Sequence, residues 1–137
     1  MTRKQKLRQE DQIRIQKHKY AITIHFLKRL YERYSIPMSM DEYIVLNTAI
    51  STCTSSPLHS IEYIENRVQR YFGQKNQTWY HIKIVFEKRG ITADMWVLYC
   101  KQYELLKTVY ENKPVEVSDS SIDTDWNKNW SDFESVS

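Results

Sequence analysis

The chain has 137 residues, 41% of them hydrophobic, enough for one modest core and a prior of one domain. It holds only two Gly and three Pro, against a usual Gly share of about 7%, which argues against glycine-rich phosphate loops and turn-dense sandwiches or barrels and for a mainly helical protein. The net charge of +3 conceals a gradient: residues 1–35 carry ten Lys/Arg against three acidic side chains (+7), residues 115–137 carry one against six (−5), and the stretch between is near neutral at +1.

Residues 3–35 read as a long helix with a basic start. Tyr20, Ile24, Leu27, Tyr31 and Tyr34 recur at spacings of four and three, which places them on one face. The alternation Ile22, Ile24, Phe26 is the competing strand signal, but the heptad-like set runs longer. Pro37 ends the element, because the residue before a proline avoids the helical region. A second helix opens on Ser39-Met40-Asp41-Glu42, a capping box in which the Ser hydroxyl and the Glu carboxylate each satisfy a backbone N–H. Tyr43, Leu46, Ile50 and Cys53 line its apolar face.

Ser56-Pro57 reads as the cap and first residue of a third helix, with Ile61, Ile64, Val68 and Tyr71 as its stripe and Gly73 as its stop. Trp79, Ile82, Val85 and Phe86 suggest a fourth helix closing at Gly90, although Ile82, Ile84, Phe86 again alternate as a strand would. Thr92 then caps a fifth, stapled by Ile91 and Trp96, with Trp96, Tyr99, Tyr103, Leu106 and Tyr110 along one side. The outline around Arg89-Gly90-Ile91-Thr92 resembles a helix-turn-helix. The second helix would, however, start with Met95-Trp96-Val97-Leu98-Tyr99, which offers few donors to base edges, so a plain helical hairpin is expected. The expected fold is therefore all-α, a small bundle of about five helices, divided into a basic arm (1–19), a helical core (20–113) and an acidic, aromatic tail (114–137) that begins where the composition turns to Ser and Asp.

Chemistry-bearing motifs are sparse. His18, His25, His59 and His81 are dispersed, and neither Cys53 nor Cys100 lies at ligand spacing from a His, so no metal centre is expected. Both cysteines fall on apolar faces, where a thiol behaves as a small hydrophobe. Asp41-Glu42 are explained as cap residues. No enzyme activity and no cofactor are expected. No signal-peptide pattern and no run of about 18 apolar residues is seen, so a reducing, cytosolic setting with free thiols and no membrane partner is the expectation.

The two ends carry what remains. Arg3, Lys4, Lys6, Arg8, Arg14 and Lys17 form a basic arm able to meet phosphates or an acidic protein surface. In the tail, Trp126, Trp130 and Phe133 stand at i, i+4 and i+7, one stripe of a short helix, with Asp125 and Asp132 beside them and Asp123 or Thr124 as its N-cap. That pattern fits a helix docking in a partner's groove, or a tail folding back over a gap in its own body. The expected function is non-enzymatic: a protein–protein interaction or assembly subunit, for instance of a virus particle, whose opposite charges allow contacts between copies. The alternative is a small nucleic-acid-binding regulator using the arm, with the tail as its autoinhibitor.

Overall fold

The computed structural model describes residues 2–52, 63–86 and 89–129. It contains α1 (Arg3–Tyr34), α2 (Met40–Thr52), β1 (Tyr63–Phe72), β2 (Gln77–Phe86), β3 (Ile91–Cys100), β4 (Leu105–Tyr110) and α3 (Thr124–Asn129). The strands form one antiparallel sheet in the order β1-β2-β3-β4. The protein is thus mixed α/β, and the all-α bundle expected from the sequence is overturned. The first two helices hold; the expected third, fourth and fifth are strands. Ser56-Pro57, Cys53, His59 and Ile61 lie outside the described residues.

The reason lies in how the sheet is covered. On one face Val68, Tyr80, Ile82, Ile84, Ala93, Met95, Val97, Tyr99, Leu106 and Val109 pack with the two long helices into the main core. On the other, Tyr71, Trp79, Trp96 and Leu98 form a second cluster closed by Val117 and Ile122. Every residue of β3 from Met95 to Cys100 is therefore buried, and the period-two pattern that marks a half-exposed strand disappears. The stripe Trp79, Ile82, Val85 mixes residues of both faces, and its helical spacing is a coincidence. Gly90 does not separate two helices: at φ +66° it turns the β2–β3 hairpin, a conformation that glycine adopts without steric cost. Tyr103 lies in the β3–β4 turn, so the expected fifth stripe is cut in two.

The helices obey their local signals. Ser35 caps α1 in the left-handed region at φ 56°, two residues before Pro37. The Ser39–Glu42 box is present, with the Glu42 backbone N–H donating to Ser39 Oγ and the Ser39 N–H donating to Glu42 Oε1, each at 3.1 Å. The face that α1 buries is another matter. Ile22, Phe26 and Leu30 face the core with Thr23, and Leu27 and Tyr34 of the expected stripe pack against it, whereas the stripe's Tyr20, Ile24 and Tyr31 are exposed. Helix α1 has two apolar stripes, and the sheet takes the i, i+4, i+8 one.

α2 is tied to the far hairpin by polar contacts. Tyr43 Oη donates to the Leu106 carbonyl at 2.8 Å. The Asn47 side chain donates to the Glu104 carbonyl and accepts from the Leu106 N–H, both at 2.9 Å. After β4 the chain crosses the second face. Trp79 Nε1 donates to Glu116 at 3.0 Å, and Ile122 bridges Tyr71. The strap then closes the free edge of β1: Asp123 N–H donates to the Arg70 carbonyl, and Arg70 N–H donates to Asn127 Oδ1, both at 2.8 Å. Asp123 caps α3, as the sequence suggests, accepting from the Trp126 N–H at 3.1 Å. A covered edge removes a template for unwanted strand pairing.

Candidate interaction surfaces

α1 is 32 residues long, about 48 Å at 1.5 Å per residue. No described side chain before Ile22 is buried. The His18 ring meets Tyr103 of the β3–β4 turn edge-on, with centroids 4.9 Å apart. Residues 3–17 extend beyond it, about 22 Å of helix. Arg3, Lys4, Lys6, Arg8, Arg14 and Lys17 are all exposed there, and Arg14 pairs with Asp11 at 3.1 Å. The N-terminus is capped by Thr2 and Gln5, so the arm begins as a defined helix.

One side of this helix is apolar and uncovered. Ile13, Tyr20, Ile24 and Tyr31 are 55%, 63%, 40% and 60% exposed, at successive spacings of seven, four and seven residues. Three of the four lie beside the body instead of on the arm, so the stripe runs continuously from one to the other. Single exposed apolar residues are ordinary, but a line of them on one helix face is the usual mark of an interface.

The tail is arranged differently from the stripe drawn on the sequence. Trp126 is 5% exposed and belongs to the main core. Its ring packs edge-on to Tyr80, centroids 5.2 Å apart, beneath the Arg70 guanidinium at 5.8 Å. It is an internal anchor, which corrects its reading as a partner-facing one and matches a tail folded back on its own body. Asp125 is exposed on α3. Trp130, Asp132 and Phe133 lie outside the described residues. The break in composition at Pro114 is not a break in structure, since Val117 and Trp126 beyond it are both buried.

Other groups with chemical potential are accounted for by packing. Burial pushes the phenols of Tyr34 and Tyr43 up to about 12, and that of Tyr71 upward too. None of these shifts poises a group for proton transfer near neutral pH. His81 contacts Asp94 through Nε2 and stacks on Trp96, centroids 4.3 Å apart and planes within 4°. The pair links the neighbouring strands β2 and β3. Cys100 is buried. Among the described residues no group of three or more His, Cys, Asp or Glu could hold a metal, and no helix is long and apolar enough to cross a membrane.

The His81–Asp94 pair and the cation–π contact of Arg33 over Tyr110, 4.7 Å from the ring centroid, escape sequence reading. A hairpin joining Phe86 to Ile91 would have revealed the first, because its register sets His81 opposite Trp96 and Lys83 opposite Asp94. Comparison with protein-family models, with curated proteins and with solved structures finds no match, so any functional reading rests on the geometry of this chain.

Proposed function

We propose that the protein is a non-enzymatic assembly subunit acting by protein–protein contact, and that its partner is a second copy of the same chain, as in a virus particle or other multi-copy complex. The observation that carries this reading is α1: a helix that leaves the body while its apolar stripe of Ile13, Tyr20, Ile24 and Tyr31 stays uncovered. Helices in proteins gain most of their stability from packing an amphipathic face. Spacings of seven and four are those by which helices mate in register. Charge favours a like copy as occupant. The +7 region of one chain complements the −5 region of another, and Glu116, Asp119 and Asp125 stand exposed along the strap and α3.

Sedimentation velocity at low and high salt tests the reading. Wild type is expected to associate with rising concentration, and less so once salt screens the surface charges. The double variant Ile13→Glu/Tyr20→Glu is expected to stay monomeric with an unchanged melting midpoint, since neither side chain is in the core. A strict monomer at low salt and high concentration would end the proposal.

The exposed basic residues of the arm favour a second reading, nucleic-acid contact. Fluorescence anisotropy with labelled duplex and single-stranded DNA and RNA checks it: binding that falls steeply with salt supports it, and no binding at micromolar protein removes it. The described tail residues pack on β1, not on the arm, and so give no support to tail autoinhibition.

A further inference from the structure

Where β4 runs into the strap, Trp79, Tyr110, Glu111, Val115 and Glu116 line a cleft of about 650 Å³, with Arg33 of α1 beside them. The cleft thus lies at the C-terminal end of α1, whereas the basic arm is the N-terminal end of the same helix. We propose that the cleft receives the arm of a second copy, so that subunits join head to tail. The inference rests on the reading of the protein as an assembly subunit and names the surface on which the arm docks.

Charge complementarity selects the occupant. The cations of the cleft are engaged within the chain: Arg33 donates to the Val109 carbonyl and lies over the Tyr110 ring, and Lys113 pairs with Asp119 at 3.0 Å. Its carboxylates are less committed. Glu111 is exposed and enters no ion pair among the described residues, and Glu116 accepts from the Trp79 indole through one oxygen, Oε1. From Glu111 to Asp125 the chain holds five acidic side chains against one Lys. The arm offers the opposite sign around an apolar centre. Lys6, Ile13 and Lys17 stand at spacings of seven and four, hence on one helix face, and all three are exposed. Ile13 meets the apolar lining, where Val115 is fully exposed, while Lys6 and Lys17 meet the carboxylates.

A chain cannot fill its own cleft. α1 contains no Gly or Pro from Arg3 to Tyr34, so it lacks the usual causes of a kink, and Ile13 lies about 30 Å from Arg33 along its axis. The docked arm therefore belongs to another copy. Arm and cleft are different surfaces, so each pair leaves one arm and one cleft open. The series then grows into a ring or a filament instead of closing as a two-fold dimer.

Sedimentation velocity of the full-length chain at low salt compares two variants. Ile13→Gln/Lys17→Gln breaks the arm, and Glu111→Gln/Val115→Gln breaks the cleft. All four side chains are exposed, so both variants are expected to melt like wild type. Neither adds a charge, so the altered arm gains no attraction for the altered cleft. Each variant alone is expected to self-associate at least about tenfold more weakly than wild type. Mixed one to one, they are expected to form a dimer and stop there, because the intact arm of one meets the intact cleft of the other. A mixture that stays monomeric while wild type associates overturns head-to-tail docking and leaves the assembly reading standing. A cleft variant that associates like wild type does the same. A wild type that stays monomeric at low salt and high concentration overturns both.

Discussion

Replacing Trp126 by Ala asks whether the tail belongs to the fold. The ring is 5% exposed and lies against Tyr80 and Arg70. Truncating a buried aromatic to Ala costs about 3–5 kcal/mol, through lost transfer energy and the cavity left behind. The edge-on contact with Tyr80 accounts for about 1 kcal/mol of it. A domain of this size has a total stability of about 5–15 kcal/mol, so the variant loses a large fraction and melts roughly 10–20 °C lower. Urea unfolding followed by far-ultraviolet circular dichroism measures the loss without relying on tryptophan emission. The neighbouring, exposed Asp125→Asn is the control and is expected to stay within about 0.5 kcal/mol of wild type. A Trp126→Ala loss below about 1 kcal/mol would refute the argument, because a ring in the main core cannot be removed so cheaply. The strap would then be an appendage, and the fixed position of Arg70 would lose its support.

Two further perturbations probe the helical layer. Ser39→Ala removes one bond of the capping box and is expected to cost about 1 kcal/mol. Glu42→Ala removes the reciprocal bond together with the ion pair to Arg89 at 3.1 Å and is expected to cost about 2 kcal/mol. The double variant should cost less than the sum, since the two residues share one box; full additivity in urea unfolding would count against that coupling. Burial raises the Tyr43 phenol to about 12, so the folded protein holds this proton more tightly than the unfolded chain. The corresponding stability is complete below about pH 10, where the unfolded phenol is still protonated, and is lost as pH rises through about 12. A rise from 10 to about 12 corresponds to at most roughly 3 kcal/mol. Tyr43→Phe should remove this alkaline loss, while costing about 1–3 kcal/mol at neutral pH because the Leu106 carbonyl loses its donor. Ultraviolet titration at 295 nm, read against the Phe variant, would contradict this if Tyr43 ionised together with the exposed tyrosines.

The sequence by itself determined what depends on near neighbours. The Ser39–Glu42 box and the stop before Pro37 each involve groups within a few residues, so local geometry suffices to read them; the cap of α3 was narrowed to Asp123 or Thr124 on the same grounds. The basic arm is legible as a run of Arg and Lys at the start of the chain. Tertiary structure decided the rest. Whether Trp79 to Phe86 and Ile91 to Cys100 became helix or strand depended on what lay against both sides of them. The answer came from distant residues: α1 and α2 on one face, Val117 and Ile122 on the other. Which part of α1 was buried was likewise decided by the sheet, which took Ile22, Phe26 and Leu30 with Leu27 and Tyr34 beside them and left Tyr20, Ile24 and Tyr31 to solvent. Trp126 carried a periodic signal that fitted a partner's groove and its own core equally well. Only the closing of the strap over β1 distinguished them, because amphipathic spacing records that a face must be buried, not against what.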